Sequence, residues 1–474
     1  MATIQKRSIY DNIVDGIKRA KDMATSILVS LTTEVNDIDP LLFYIAGREL
    51  FTGENTYWKE PINGETIVGV GVLQTISSNV NSNRRYQDIQ KQWNEVVKTM
   101  IDTKSSENVN ARGPLLFGGF SFDPLKHKTE LWNDYPSAQF YLSKYMLHQA
   151  GNQMFLTSNL FVDGENQVES VIVQLERDRK QLFEVMDKLK RDSYQQPIYR
   201  EREIEVDKWL QSVETVVCHI NEGKLEKAVL ARELKLESDD AFSIQTIVEN
   251  LLQKQPTSYI FAIDSGDSTF IGATPERLIK KEHKEVLSTC LAGSIKRGVT
   301  EVEDLQLANE LLEDPKNLAE HEFVVDMITN EMKAVCHTIT KPDKPSIFKA
   351  RDIQHLYTPI VGEVKDQVDL LEIVERLHPT PALGGFPKAR ALEEIRIHEQ
   401  LDRGWYAGPI GWLDHNGDGE FAVAIRSALF KQHEASLFAG CGIVAKSEPS
   451  KEYEETMIKF KPMLNAIGGK LNGR

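Results

Sequence analysis

Residues 420–430, EFAVAIRSALF, and 435–444, ASLFAGCGIV, decide the fold. Both are runs of β-branched, aromatic and small residues of strand length, and both read as strands. The chain then changes character. The apolar run ends at Ser447 and Pro449, and SEPSKEYEETMIKF (447–460) takes up helical spacing.

Working outward, AGPIGWL (407–413) is a further strand, and residues 316–336 make a long helix. SYIFAID (258–264) and STFIGA (268–273) are joined by SGD as a hairpin, and KAVLARELKL (227–236) is a strand of mixed face. A helix before it presents Trp209, Val213, Val216, Val217 and Ile220 on one side and stops at Gly223. From Gln167 to Arg191 a charged helical pattern carries Val171, Ile172, Leu175, Leu182, Phe183 and Leu189 at three-to-four spacing. Before residue 165 the strand character returns, in SILVSLTTEV (26–35), ETIVGVGVLQTI (65–76), PLLFGGFSF (114–122) and QFYLSKYMLHQ (139–149). There is no fixed-period repeat and no regular βαβ alternation, so the expected class is α+β with large antiparallel sheets.

Composition narrows the function. The 474 residues carry a formal charge of −15, which argues against general nucleic-acid binding, and 41% are hydrophobic, enough for a large core. Cys218, Cys290, Cys336 and Cys441 form no CxxC pair, so the sequence suggests neither a zinc site nor a disulfide framework. The first 20 residues have no apolar h-region, and no window reaches the roughly 18–20 apolar residues of a membrane span. A cytosolic protein is expected.

Several residues invite two readings from spacing alone. Glu452 and Glu455, three apart, share a helix face that Glu454 does not. They either complement the helix dipole, with Glu455 paired to Lys459 for ~0.2–0.5 kcal/mol, or form half of a ligand face. Glu320-His321-Glu322 interrupts a helix whose other positions include Phe323, Val324, Met327 and Ile328, so at least one of the acids is expected near the core. Carboxylates on two such helices would be hard oxygen ligands suited to Mg²⁺, and an EHE on a solvated surface is equally ordinary. Lys227 opens KAVLAR and Arg426 ends FAVAIR, each where a strand would carry it towards a core or cleft; a lysine there is either an edge residue reaching water or, desolvated and with a lowered pKa, a general base. Glu276, in GATPERL, fits a helix start with Thr274 as cap and Pro275 in the first turn. Gly440 and Gly442 in GCGIV indicate a bulge or amides bared for an anion. Asp414, Asn416, Asp418 and Gly419 copy half of a calcium loop, but Ile425 stands where the bidentate Glu belongs, so a hairpin turn is expected.

The order of these pieces carries a resemblance. KAVLAR, GATPERL, LAGSIKRG (291–298), AEHEFVVD (319–326), LHPTPALGGFPK (377–388), RGWYAGPIGW (403–412), FAVAIRSA and AGCGIV…SEPSKEYEET…K together resemble the chorismate-utilising enzymes, most closely those of the isochorismate synthase type. The motifs span about residues 205–470. The length and FGGFSF (117–122) look like the longer, menaquinone-pathway members. The resemblance implies that family's fold, with large antiparallel sheets packed face to face and helices outside. It implies a β-rich region over 1–165 belonging to the same fold, a helical connection over 166–203 and a catalytic region over 204–474.

It also implies roles. Mg²⁺ would be held by Glu320 and Glu455, with Glu452 acting through water, and would bind the ring carboxylate of chorismate. Lys459, Arg426 and the amides around Gly440 and Gly442 would take anionic groups of the substrate, and Gly293, His378 and Tyr406 would line the pocket. Lys227 would be the base that activates water for attack at C2, and Glu276 the acid for the departing C4 hydroxyl. Anthranilate synthases typically carry Gln where Lys227 stands, and aminodeoxychorismate synthases Lys where Ala292 stands. Salicylate synthases tend to have Thr where Ala382 stands, and the Ala382–Leu383 pair looks like the isochorismate type. With water as nucleophile no glutamine amidotransferase subunit is expected. A salicylate synthase, a siderophore-pathway member and an inactive chorismate-binding relative remain alternatives.

Overall fold

In the strand Tyr259–Ser265, Tyr259, Phe261 and Ile263 belong to one hydrophobic core and Ile260 and Ala262 to another. That is the period of two expected of a strand covered on both faces. The same layering runs through the computed structural model, which describes residues 2–102, 111–189, 197–351, 353–468 and 470–471. Among these, 22 strands and 11 α-helices are present, and hydrogen-bonded pairings link every strand into one continuous sheet. Two short pairings are parallel and the others antiparallel, consistent with the absence of βαβ units in the sequence.

The sheet divides into two halves at a long strand. Residues 138–142 of the strand Ala138–Ala150 pair with Leu115–Phe120, whereas residues 145–150 pair with Gln153–Val162. Its other neighbour, Thr66–Ser78, shifts register between Val72 and Gln74, an irregularity that bends and twists a strand. The halves face each other across an aromatic core. Trp58, from one half, meets Phe117, from the other, edge-to-face at 5.9 Å, and lies 5.0 Å from Tyr259. Helices, the C-terminal Pro449–Ile467 among them, cover the second core through Phe460, Met463, Ala466 and Ile467.

The first 165 residues are woven into the rest. Thr56–Lys59 pairs with Tyr259–Ser265, and Leu115–Phe120 pairs with Pro409–Asp414. The segment expected as a helical connection contains the helix Val168–Lys188 followed by a strand, Ile198–Glu203, that pairs with Lys227–Ser238. Arg191, where the helical pattern was expected to end, lies outside the described residues. Asp414–Gly419 forms a hairpin turn, with Asp414 Oδ1 accepting from the amides of Asn416 and Asp418. No described helix is long and apolar enough to cross a membrane.

The helix start expected at Glu276 is not formed. Glu276 lies between the strands Ser268–Thr274 and Arg277–Glu282. Thr274 Oγ1 does accept from its amide, at 3.2 Å, so the local capping bond forms without a helix. Strand pairing prevails because Arg277 is paired with Ala422 and is held by buried charge. Its Nε donates to Glu420 Oε1 at 2.7 Å, and its Nη2 lies 3.4 Å from Glu60 Oε1; Tyr259 donates its hydroxyl to Glu420 at 2.7 Å.

Glu420 and Glu60 are 0% and 1% exposed. Arg277→Ala therefore leaves two buried carboxylates without their cation, and we expect a loss of about 3–5 kcal/mol. Chemical denaturation checks this, and a loss below about 1 kcal/mol would show the pair to be solvated.

Candidate active site

The strand Lys227–Ser238 runs antiparallel to Glu434–Ile443 over ten pairs, Ala228 opposite Ile443 and Ala231 opposite Gly440, without a register shift. The bulge reading of GCGIV is thereby corrected: the glycines lie in regular ladder. Their small size serves approach. A Cβ on Gly442 would stand 2.8 Å from Lys227 Cε, so only glycine there leaves the lysine in place. A Cβ on Gly440 would stand 3.3 Å from the hydroxyl of Tyr406, whose ring stacks on Phe438 at 5.3 Å.

The other edge of the Lys227 strand is clasped by the HPTPALGGF loop. Gly385 pairs with Ala228 and Phe386 with Lys227, and Val229 donates to the carbonyl of Gly384. Gly385 has φ +123°, and a Cβ would lie 2.1 Å from the Lys227 carbonyl. Arg403 secures the arrangement. It donates to Val229 O at 2.6 Å and Leu383 O at 3.1 Å, while Glu399 holds its guanidinium and accepts from the Ala231 amide at 2.7 Å. Sequence reasoning gave Glu399 and Arg403 no role, although their i,i+4 spacing was visible. Ala382 is half-buried beside Leu383 in this loop. His378 is anchored against Phe122, Nε2 to carbonyl at 3.2 Å with the rings edge-to-face at 5.6 Å. Burial holds its imidazole well below the usual range, hence neutral, and its buried Nδ1 has no partner.

Two helices bring carboxylates. Pro315–Val335, capped by Asp314 accepting from the Asn317 amide at 2.6 Å, carries Glu320 to within 2.8 Å of Lys227 Nζ. The residue of the EHE triplet that enters the core is His321, with Glu320 and Glu322 outward, because the phase is set by Val324, Val325 and Ile328. Burial works against ionisation of Glu320, but the charge and hydrogen bond of Lys227 hold its carboxyl below the ordinary range. Its side chain is 42% exposed, so this is a rim contact and not a deep ion pair.

The C-terminal helix lies over Gly440. Lys459 Nζ donates to Gly440 O at 2.9 Å and to Glu455 Oε1 at 2.6 Å, so the expected i,i+4 pair is present and the lysine also reaches the strand. Glu452 is half-buried near Glu455. Burial and the charge of Glu455 raise its carboxyl, with bonds to Ser447 and Cys441 opposing.

On the far side stands Glu276, its carbonyl accepting from the Val423 amide at 3.2 Å. Burial raises its carboxyl to about 7, against the opposing charges of Arg426, Lys459 and Lys227. Those three cations and this acid thus share one electrostatic neighbourhood. Arg426 occupies the left-handed region, at φ +51°, between strands Gly419–Val423 and Ser427–Lys431. Gly293, at φ +76°, sits in a bulge opposite the stretch containing His355, whose Nδ1 lies 2.7 Å from Ser294 Oγ. Burial, with the charges of Arg426 and Lys459, lowers His355 to about 3. His355 had no signal in the sequence. This neighbourhood therefore combines a strand-borne lysine, a carboxyl that burial raises to about 7, the cationic side chains of Arg426 and Lys459, and the carboxylates of Glu320, Glu452 and Glu455.

A family profile described as "Chorismate binding enzyme" matches residues 15–468. Isochorismate synthase MenF of Bacillus subtilis is 42% identical over 99% of this chain and 99% of its own length. The salicylate biosynthesis isochorismate synthase of Pseudomonas aeruginosa is 33% identical over 96% of this chain and 93% of its own. The structure of MenF, the menaquinone-specific isochorismate synthase from Escherichia coli, superposes with a TM-score of 0.75 at 23% identity, covering 98% of this chain and all of that one. That likeness establishes the fold.

The raised pKa of Glu276 has a thermodynamic consequence. Its proton is favoured in the fold, so a stability contribution present below its ordinary value of 4.5 is lost as pH rises through about 7. Glu276→Gln, which cannot ionise, should gain thermal stability over the parent at about pH 8 and lose that advantage at about pH 5. A difference in melting temperature independent of pH would contradict the burial argument.

Proposed function

The chain belongs to the chorismate-binding enzymes, and we propose that it is an isochorismate synthase, an isomerase converting chorismate to isochorismate for menaquinone biosynthesis. The observation that carries the reading is the pairing of roles at the cleft: Lys227 on one strand and, within its electrostatic reach, a Glu276 carboxyl raised to about 7. In this reading Glu276 supplies a proton and Lys227, in its unprotonated form, takes one, which is what hydroxyl exchange on a ring needs. Lys227 takes a proton from the water that adds at C2. The ring double bonds shift, the C4–oxygen bond breaks, and Glu276 gives its proton to the hydroxyl that departs as water. The reverse sequence uses the same groups in exchanged roles, so the conversion is reversible.

Binding falls to the cations. Arg426 and Lys459 oppose ionisation-disfavouring burial at Glu276 through their positive charge, and the same charge attracts the two carboxylates of chorismate. Gly293, Tyr406, the Ala382–Leu383 pair and the amides near Gly440 and Gly442 complete the walls in this reading, with His378 behind them. Glu320, Glu452 and Glu455 offer the donor type a hard divalent cation takes, carboxylate oxygens throughout, although their ligand atoms do not all lie within 4.8 Å of one another here; Glu452 is raised by burial and by its like-charged neighbour. We assign Mg²⁺ to these three. When bound, it would offset the negative charge of the substrate ring carboxylate. Glu320, which contacts Lys227 at 2.8 Å in this structure, would be one of the residues holding the ion. Water as nucleophile leaves no need for an amidotransferase subunit. Four unpaired cysteines suit a cytoplasmic enzyme.

Incubation with chorismate and Mg²⁺ should give isochorismate, and chelation should abolish the conversion. Salicylate with pyruvate, or anthranilate in the presence of ammonia, as main product would overturn the assignment. Lys227→Ala should lower turnover by about 10²–10⁴-fold with the circular dichroism spectrum unchanged; a near-normal rate would remove Lys227 from the role of base.

A further inference from the structure

A second cluster of ligand-type side chains lies away from the cleft, between the helices Val206–Asn221 and Lys388–His398. His219 sits in the last turn of the first. Glu394 and His398 are one turn apart on the second and so share a face. His219 Nδ1 is 2.8 Å and His398 Nε2 3.2 Å from the same carboxylate oxygen, Glu394 Oε2, and the two imidazoles stand edge-to-face at 5.5 Å. Among the described residues this is the only group of three or more His, Cys, Asp or Glu whose ligand atoms all lie within 4.8 Å of one another.

We propose that His219, Glu394 and His398 form an accessory site for a borderline divalent cation of the Zn²⁺ class. Three features support it. The donors are two nitrogens and one oxygen, a set that suits Zn²⁺, Ni²⁺ or Co²⁺ and not Mg²⁺, which takes oxygen ligands. Glu394 is 1% exposed, and its other oxygen, Oε1, is engaged by Arg390 Nη2 at 2.7 Å. The arginine thus orients the carboxylate so that a single oxygen faces both imidazoles, as outer partners of metal ligands do. Finally, the imidazoles are 22% and 23% exposed, which leaves the outer side open to water as a fourth ligand and gives the ion a path. With bonds of about 2.0–2.2 Å, three tetrahedral ligand atoms stand about 3.3–3.5 Å apart, so the ion fits with small side-chain rotations.

The position gives the site a consequence for the fold. The helices are already tied by Ser212 Oγ donating to His398 O at 2.7 Å. The next residue is Glu399, which holds Arg403 and the Ala231 amide and so steadies the Lys227 strand. A bound ion would clip the two helices together beside that support.

The test is calorimetric titration of the metal-stripped full chain with ZnCl₂ in excess Mg²⁺, with thermal unfolding alongside. One saturable site per chain and a chelator-reversible rise in melting temperature are expected. His219→Asn and His398→Asn should each weaken binding at least about tenfold while retaining the fold and the basal activity. Cys218→Ser should leave binding intact, since the exposed thiol beside His219 has no part in the site. Absence of a saturable Zn²⁺ site, or binding unchanged in both histidine variants, would overturn the proposal.

Discussion

The in-register pairing of Lys227–Ser238 with Glu434–Ile443 is the constraint on which the cleft depends. Ten consecutive pairs fix the strands to within one residue, because a slip by one would turn every side chain to the opposite face. The ladder puts Gly442 beside the lysine, where a larger residue would displace it, and Gly440 beneath the C-terminal helix. With Gly440 O accepting from Lys459, that helix is tied to the strand before it, and Glu452 and Glu455 follow from its pitch. On the opposite edge, Gly385 and the Glu399–Arg403 pair hold the same strand from the other side. Lys227 therefore begins a strand clasped by two neighbours, and its side chain reaches from that strand to Glu320.

The charge of the chain is organised around this strand. A formal charge of −15 would repel an anionic ligand, yet Lys227, Arg426 and Lys459 gather their charge about the Glu276 carboxyl. Burial alone would favour a neutral Glu276 more strongly, and the cations bring it back to about 7. The interior meets the same problem by pairing. Arg277 is matched by Glu420 and Glu60, and Arg403 by Glu399, so ions taken out of water keep a partner of opposite sign. Arg277 directly follows Glu276, which gives the backbone at the acid a buried electrostatic anchor.

Local pattern was a good guide wherever one neighbouring surface sets the outcome. The strands at 66–78 and 138–150 and the helices at 206–221 and 315–335 form where β-rich and helical stretches were read from the sequence. It was a poor guide at Glu276, where a Thr-Pro-Glu helix-start pattern lost to pairing with a strand some 145 residues later, Arg277 with Ala422. It misjudged Glu-His-Glu as well. The helix phase turned the histidine inward and left both acids at the surface, the order that the general burial tendencies of His and Glu favour. His321 enters because Thr358 and the Ala292 carbonyl, far along the chain, receive its two nitrogens.

What the sequence determined by itself was the class of the fold, the ordered motifs that mark the family, and the residue types available for chemistry. These depend on side-chain period and on short spacings, which are local properties of the chain. Tertiary structure alone decided which of those residues meet: Lys227 with Glu320, Lys459 with Gly440, Glu276 with three cations, His219 with Glu394. The reason is physical. Each of these contacts, apart from the nineteen-residue step between Gly440 and Lys459, closes a loop of many tens of residues. Such closure is governed by sheet register and core packing over the whole molecule, and no window of sequence contains that information.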